Sequence, residues 1–307
     1  MCETCGCTVT TGNEHLVQGE GRLARTADGK AAVTVLQSLL HENDHQAEHN
    51  REHLDAGGVL AVNLMSSPGS GKTSLLEATI EALQGSLKVA VIEGDLETEN
   101  DAVRVRAKGV PVVQITTGSA CHLDAHLVHD ALHHLELDGV DILFIENVGN
   151  LVCPASFDLG HHVNVTLLSV TEGDDKPAKY PVMFRAADLM LLSKTDLLAV
   201  LDDFDPAAAE EHFRHLANPA PVLQVSARKG EGMEAWLHWL RQTLMVHRAR
   251  LRQGATSRPA VQPDGARVHE QGPAHHGQHY HHDHDHDHGH EHHHDHGGHP
   301  HHDHHHG

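Results

Sequence analysis

Several clusters in this chain have the residue types and spacing that chemistry demands. Ser66-Ser67-Pro68-Gly69-Ser70-Gly71-Lys72-Thr73 sets small residues ahead of a lysine and a hydroxyl. Small residues let several backbone N–H groups turn inward, and a helix starting there aims its positive dipole end at the same spot, so the stretch suits a polyphosphate. Gly69, Ser70, Gly71 and Ser74 would line that cradle, and Lys72 would reach the outer phosphates as a point charge. Thr73 would give one oxygen to a magnesium ion. Ser66 stands where the pattern G-x-x-x-x-G-K-[ST] has its first glycine, so the match rests on Gly69, Gly71, Lys72 and Thr73. A plain glycine turn with a snorkelling lysine would not account for the three small residues packed ahead of it.

Two acidic strand ends extend the same chemistry. Asp95 closes the run Glu93-Gly94-Asp95, and Glu146 opens Glu146-Asn147-Val148-Gly149. Both are candidate magnesium-side carboxylates, and the Gly149 amide is placed to sense a terminal phosphate. Farther on, Ser193-Lys194-Thr195-Asp196 has the form of a base-reading loop. A carboxylate at Asp196 can accept two hydrogen bonds from the N1–H and N2 amine of guanine, a pair that adenine lacks. Lys194 would lay its stem over the base, and Ser226-Ala227-Arg228-Lys229-Gly230 would supply a second base-contacting loop through Ser226 and Ala227. Asn is usual where Ser193 stands, so some hydrogen bonding between loops is expected to be lost.

The cysteines point to metal. Cys2, Cys5 and Cys7 form C-x-x-C-x-C, close enough for one ion to take three thiolates without a surrounding fold. Soft thiolates suit zinc, copper(I) or iron–sulfur chemistry, while a planar set completed by the terminal amine favours nickel(II). Cys121 and His122 are adjacent and are read as the start of a long helix whose dipole favours the thiolate. Cys153 follows the Glu146–Gly149 segment, so Cys121, His122 and Cys153 together could hold a second ion in a geometry that changes with nucleotide.

The elements that must position these groups are legible as apolar runs. Val59–Met65, Lys88–Glu93, Val110–Ile115, Asp141–Ile145, Val163–Val170, Leu189–Leu192 and Val222–Val225 read as strands separated by helical patterns, an α/β fold with a mostly parallel sheet. Leu123, Leu127, Ala131 and Leu135 mark one buried helix face, and Trp236, Leu237, Leu240 and Leu244 mark the last. Thr34–His53 is a further helix carrying His41, His45, His49 and His53 every four residues, read as a solvated face or a weak metal stripe. The chain divides into a cysteine motif with its joining helix at 1–57, a phosphate-loop domain at 58–250 and a histidine-rich segment at 251–307, expected to be disordered without metal. That segment interleaves Asp and Gly with histidine, unlike a uniform affinity tag.

Composition narrows the function class. The 307 residues carry a formal charge of −21 with histidine neutral, which argues against nucleic-acid or anionic-membrane partners. No run of 18 apolar residues occurs, and the start at Met1-Cys2-Glu3 lacks a basic and then apolar leader, so a cytoplasmic location is expected. Five clustered cysteines suit metal chemistry in a reducing compartment better than a disulfide framework.

With Cys2-Glu3-Thr4-Cys5-Gly6-Cys7, Ser66–Thr73, Cys121-His122, Cys153 and Ser193–Asp196 in order, residues 1 to 250 closely resemble the HypB family, phosphate-loop GTPases that help deliver nickel to NiFe hydrogenases. The resemblance implies slow hydrolysis of GTP to GDP with Mg2+, a tight nickel site at Cys2, Cys5 and Cys7, and a weaker nickel or zinc site at Cys121, His122 and Cys153. It implies a GTP-dependent homodimer that meets other hydrogenase maturation factors and the hydrogenase large subunit. Lys72, Thr73, Asp95 and Glu146 would carry the catalysis. The alternatives are a urease-type nickel GTPase, a phosphate-loop kinase, and a metal-storage protein with a residual nucleotide site.

Overall fold

The computed structural model describes residues 17–18, 22–23, 32–95, 100–118 and 120–261, with 17–18, 22–23, 32–39, 95 and 100 described by backbone alone. Cys2, Cys5, Cys7 and the histidine-rich segment from 262 onward lie outside the described residues. Val17–Gln18 (β1) and Arg22–Leu23 (β2) pair antiparallel. There follow Ala32–Ala56 (α1), Leu60–Ser66 (β3), Lys72–Leu83 (α2), Val89–Asp95 (β4), Asn100–Arg106 (α3) and Val112–Thr116 (β5). Next come Ala125–Leu132 (α4), Ile142–Glu146 (β6), Val163–Ser169 (β7), Lys176–Lys179 (α5) and Pro181–Arg185 (α6). Leu189–Ser193 (β8), Pro206–His215 (α7), Val222–Gln224 (β9) and Met233–Arg252 (α8) complete the order.

The strands from β3 onward form one seven-stranded sheet in the order β5-β4-β6-β3-β7-β8-β9, every pair parallel. Residues in β3, β6, β7 and β8 are buried throughout, as continuous apolar runs should be when helices cover both faces of a parallel sheet. Alternation along a strand divides the core. Leu60, Val62 and Leu64 pack with Leu76 and Ile80 of α2 and Trp236 and Leu240 of α8, whereas Ala61 packs with Leu54 of α1 and Val128 of α4. The Trp236 indole Nε1 also donates to Thr79 Oγ1 at 2.8 Å, tying α8 to α2.

α1 is therefore built into the fold, with Ala47 and Leu54 fully buried, Arg51 paired to Asp158 at 2.7 Å and Asn50 donating to Ala125 O. Its His41, His45, His49 and His53 are exposed, as a solvated face requires. The central strand β3 has β6 on one side and β7 on the other, and its crossover through α2 returns to β4 beyond β6. The carboxyl end of β3 is thus the point where connections diverge, the place where open α/β sheets form a crevice.

Candidate nucleotide and metal sites

At that crevice the chain leaves β3 through Ser66–Gly71 and enters α2. Gly71 caps α2 at φ +95°, a conformation that side-chain-bearing residues avoid, and the helix then begins at Lys72. The resulting cavity of about 430 Å³ is lined by Gly69, Gly71, Lys72, Thr73 and Ser74 from the loop, and by Glu93, Glu146 and Gly149 from neighbouring strand ends. Lys72 Nζ donates to Ser66 Oγ at 3.0 Å, so the serine in place of the first glycine is a resting partner for the lysine. Ser70 Oγ donates to Glu172 Oε1 at 2.5 Å, a brace the sequence did not suggest.

Thr73 Oγ1 donates to Glu146 Oε1 at 2.9 Å, bringing together two residues expected to share magnesium. Opposite them stands Glu93, which sequence reasoning passed over in favour of Asp95. Asp95 ends β4 in register with Thr116, and its side chain is outside the described residues. Glu93 and Glu146 are Cα partners across β4 and β6, both buried, and Oε2 of each lacks a hydrogen-bond partner. Burial first, then the Glu146 charge, pushes the Glu93 carboxyl far above the usual range, and burial raises Glu146 against the pull of Lys72. Two buried carboxylates with orphaned oxygens next to a threonine hydroxyl form an all-oxygen donor set, which fits a small hard cation such as magnesium. Arg104 also lines the cavity, but it is held by Glu77 and by Asp101 at 2.9 Å.

A second hollow of about 260 Å³ adjoins the first and shares Gly71, Ser74 and Lys194 with it. It is lined by Leu75, Asp196, Leu197, Val225 and Ala227, an apolar slot with a carboxylate at one side. Ser226 Oγ donates to Asp196 Oδ1 at 2.6 Å, fixing that carboxylate, and Lys194 Nζ reaches Gly69 O at 2.6 Å. The loop-to-loop bonding expected to be lost at Ser193 is present, because Ser193 Oγ donates to Ser70 O at 2.7 Å. A serine is long enough where β8 ends this close to the phosphate loop.

The sulfur site differs from expectation in one respect. α4 begins at Ala125, not at Gly118–His122, because Asp124 adopts an extended backbone and caps the helix by accepting from Leu127 N at 2.9 Å. Cys121 and His122 lie in the turn ahead of that cap, so no helix dipole acts directly on the thiol. The three candidate donors are nonetheless brought together. Cys121 Sγ is 3.1 Å from Cys153 Sγ and 3.5 Å from His122 Nδ1, and the three donor atoms fall within 4.8 Å of one another. Burial holds the His122 imidazole below its usual value despite Asp124 nearby, and its ring stacks on Phe157 at 4.0 Å. An imidazole beside two adjacent thiols is a sulfur-rich donor set, suited to nickel or zinc.

One segment joins the two sites. Asn147, fully buried after Glu146, accepts at Oδ1 from Val148 N at 2.9 Å and from Leu123 N at 3.3 Å. Asn150 Nδ2 donates to Cys121 O at 3.3 Å. Gly149 faces the phosphate loop so closely that a Cβ there would fall 2.9 Å from Pro68 Cα. The strand-end loop that borders the cavity therefore also holds the cysteine turn.

A family model described as CobW/HypB/UreG, nucleotide-binding domain, matches residues 60–224. A hydrogenase maturation factor HypB from Azotobacter chroococcum mcd 1 is 54% identical over 230 residues, spanning 74% of this chain and 75% of that one. The chain belongs to the HypB family. Among solved structures, HypB from Helicobacter pylori in complex with nickel is 41% identical with a TM-score of 0.64, covering 70% of this chain and 98% of that one. HypB from Archaeoglobus fulgidus is 40% identical with a TM-score of 0.63, covering 67% and 100%. The parallel sheet and phosphate loop are thus those of HypB phosphate-loop GTPases. Among the described residues no helix is long and apolar enough to cross a membrane.

Proposed function

We propose that this HypB-family chain hydrolyses GTP and uses the nucleotide state to control nickel held at Cys121, His122 and Cys153 for delivery during NiFe-hydrogenase maturation. The observation that carries the reading is the Asn147–Asn150 segment, which touches both the phosphate cavity and the cysteine turn. GTP places its base in the slot beside Asp196 and Lys194, with Ser226 and Ala227 behind, and its phosphates over Gly69–Ser74. Lys72 leaves Ser66 for the outer phosphates, where its charge and the loop amides meet the charge that develops as water attacks in line. Magnesium, when bound, neutralises phosphate charge, with Thr73, Glu146 and Glu93 as its surroundings and Asp95 as a further carboxylate. Arg104, which lines the cavity, is already paired with two acids, so it is not poised to act as a finger and intrinsic turnover is slow.

In this reading Cys2, Cys5 and Cys7 hold a separate, tighter nickel site, and zinc competes at the Cys121 site. The active species is a GTP-dependent homodimer that meets other maturation factors and the hydrogenase large subunit. Nickel titration of the full chain with GDP and with a non-hydrolysable GTP analogue tests the central claim. A nucleotide-dependent site that is lost in Cys121→Ala and kept in Cys2→Ala is expected. Equal affinity in the two nucleotide states would sink it, because a ligand without differential affinity shifts no equilibrium.

A further inference from the structure

We propose that His129 of α4 and His133, which caps the C-terminal end of that helix, with His49 of α1 beside them, form an additional, solvent-facing site for a borderline divalent cation such as nickel(II) or zinc(II). His133 keeps a helical backbone, so it and His129 are one turn apart on one face, and their Nε2 atoms approach to 3.0 Å. Two nitrogens each about 2.05 Å from one ion lie about 2.9 Å apart at a right angle and about 3.3 Å apart at a tetrahedral one. The observed spacing is therefore that of a chelating pair. The His49 ring lies 5.2 Å from that of His129, edge to face, so a third imidazole stands near the pair on the neighbouring helix.

A second observation fixes the chemistry of one donor. Asn50 is fully buried, and its Nδ2 donates to Ala125 O at 2.8 Å and Leu159 O at 3.2 Å, so its Oδ1 is settled as an acceptor. That oxygen is 3.1 Å from His129 Nδ1, which must carry the proton. The Nε2 lone pair of His129 then points at His133, oriented by an outer partner as ligating histidines are. Without metal, His133 Nε2–H donates to that lone pair. When an ion enters, the proton moves to Nδ1 of His133, an exposed residue, and both Nε2 lone pairs face the ion without net loss of a proton. Desolvation and the adjacent His133 and His49 rings hold His129 below its usual pKa, with His126 adding to this and Asp130 opposing it. His129 is therefore neutral near pH 7.

This inference uses no residue of the nucleotide cavity or of the cysteine turn and does not depend on the function proposed above. The test uses the full chain carrying Cys121→Ser, so that the sulfur site is silent, with nickel(II) alone as the probe and the unfolding temperature as the readout. A site present only in the folded state raises that temperature as nickel is added. The expected result is a rise of a few degrees that falls to less than half when His133→Gln is added and is reduced by His49→Gln. Both side chains are exposed, and comparing metal-induced shifts removes any difference between the metal-free forms. An equal rise with and without His133, or no rise in the Cys121→Ser chain, overturns the proposal.

Discussion

Replacing Glu93 by glutamine should make the nucleotide-free, metal-free chain more stable at neutral pH. Glu93 and Glu146 are buried partners on adjacent strands, and Glu93 is driven far above its ordinary value of 4.5 by burial and by its neighbour's charge. A folded-state pKa above the unfolded one means that the folded chain binds the extra proton, so this term favours folding at low pH and is lost as pH rises above 4.5. Keeping that proton at pH 7 costs about 3 kcal/mol, since each pH unit is worth about 1.4 kcal/mol. Glutamine keeps a hydrogen-bond donor toward Glu146 and has no proton to hold. The variant should therefore gain up to about 3 kcal/mol at pH 7, or roughly 6–12 °C in unfolding temperature for a fold of this size. Between pH 7 and 9 the wild type should lose stability by up to about 1.4 kcal/mol per pH unit through Glu93, while Glu93→Gln falls less steeply. Urea unfolding at pH 7 and 8.5 measures both quantities. A variant no more stable than wild type, with an unchanged pH slope, would refute the assignment of a retained proton to Glu93.

Two further outcomes follow from particular contacts. Asp196→Asn keeps one oxygen to accept from Ser226 but turns the other acceptor into an NH2 donor that faces the base N–H groups, so GDP affinity measured by calorimetry should fall by at least about 100-fold, the loss expected when a pocket's paired polar contact to substrate is broken; unchanged GDP affinity would remove Asp196 from base recognition. His161 is buried and, chiefly by desolvation, held at about 4 in spite of Asp158 at 3.8 Å. Its folded pKa is depressed, so its contribution is present above pH 6.5 and is lost as pH falls toward 4, by up to about 3 kcal/mol. His161→Gln should flatten the acid limb of the stability curve between pH 6.5 and 4 by about one proton, and an identical limb would contradict that assignment.

The sheet was legible because each parallel strand is a short apolar run, and all seven runs became strands within a few residues of their expected ends. The phosphate loop and base loops were legible for a different reason, since their backbone demands small residues and fixed polar ones at set spacings. Glu93 was missed because its significance lies in register. Nothing in Glu93-Gly94-Asp95 shows that the first acid faces Glu146 across β4 and β6. The start of α4 was misplaced because Leu123 has helical spacing from Leu127, yet its burial comes from a turn that Asp124 ends. Likewise the histidine stripe on α1 was visible, but its meeting with His129 depends on how α1 packs against α4.

The Asn147 carboxamide oxygen carries a consequence of its own. One buried atom accepts from Val148 N in the strand-end loop and from Leu123 N in the cysteine turn, while the same side chain donates to Asn63 Oδ1 at 3.2 Å. Rotating that side chain takes the acceptor from both amides at once. In the proposed switch the Asn147 side chain is thus a point at which both loops move together, with the Asn150 bond to Cys121 O as the second link.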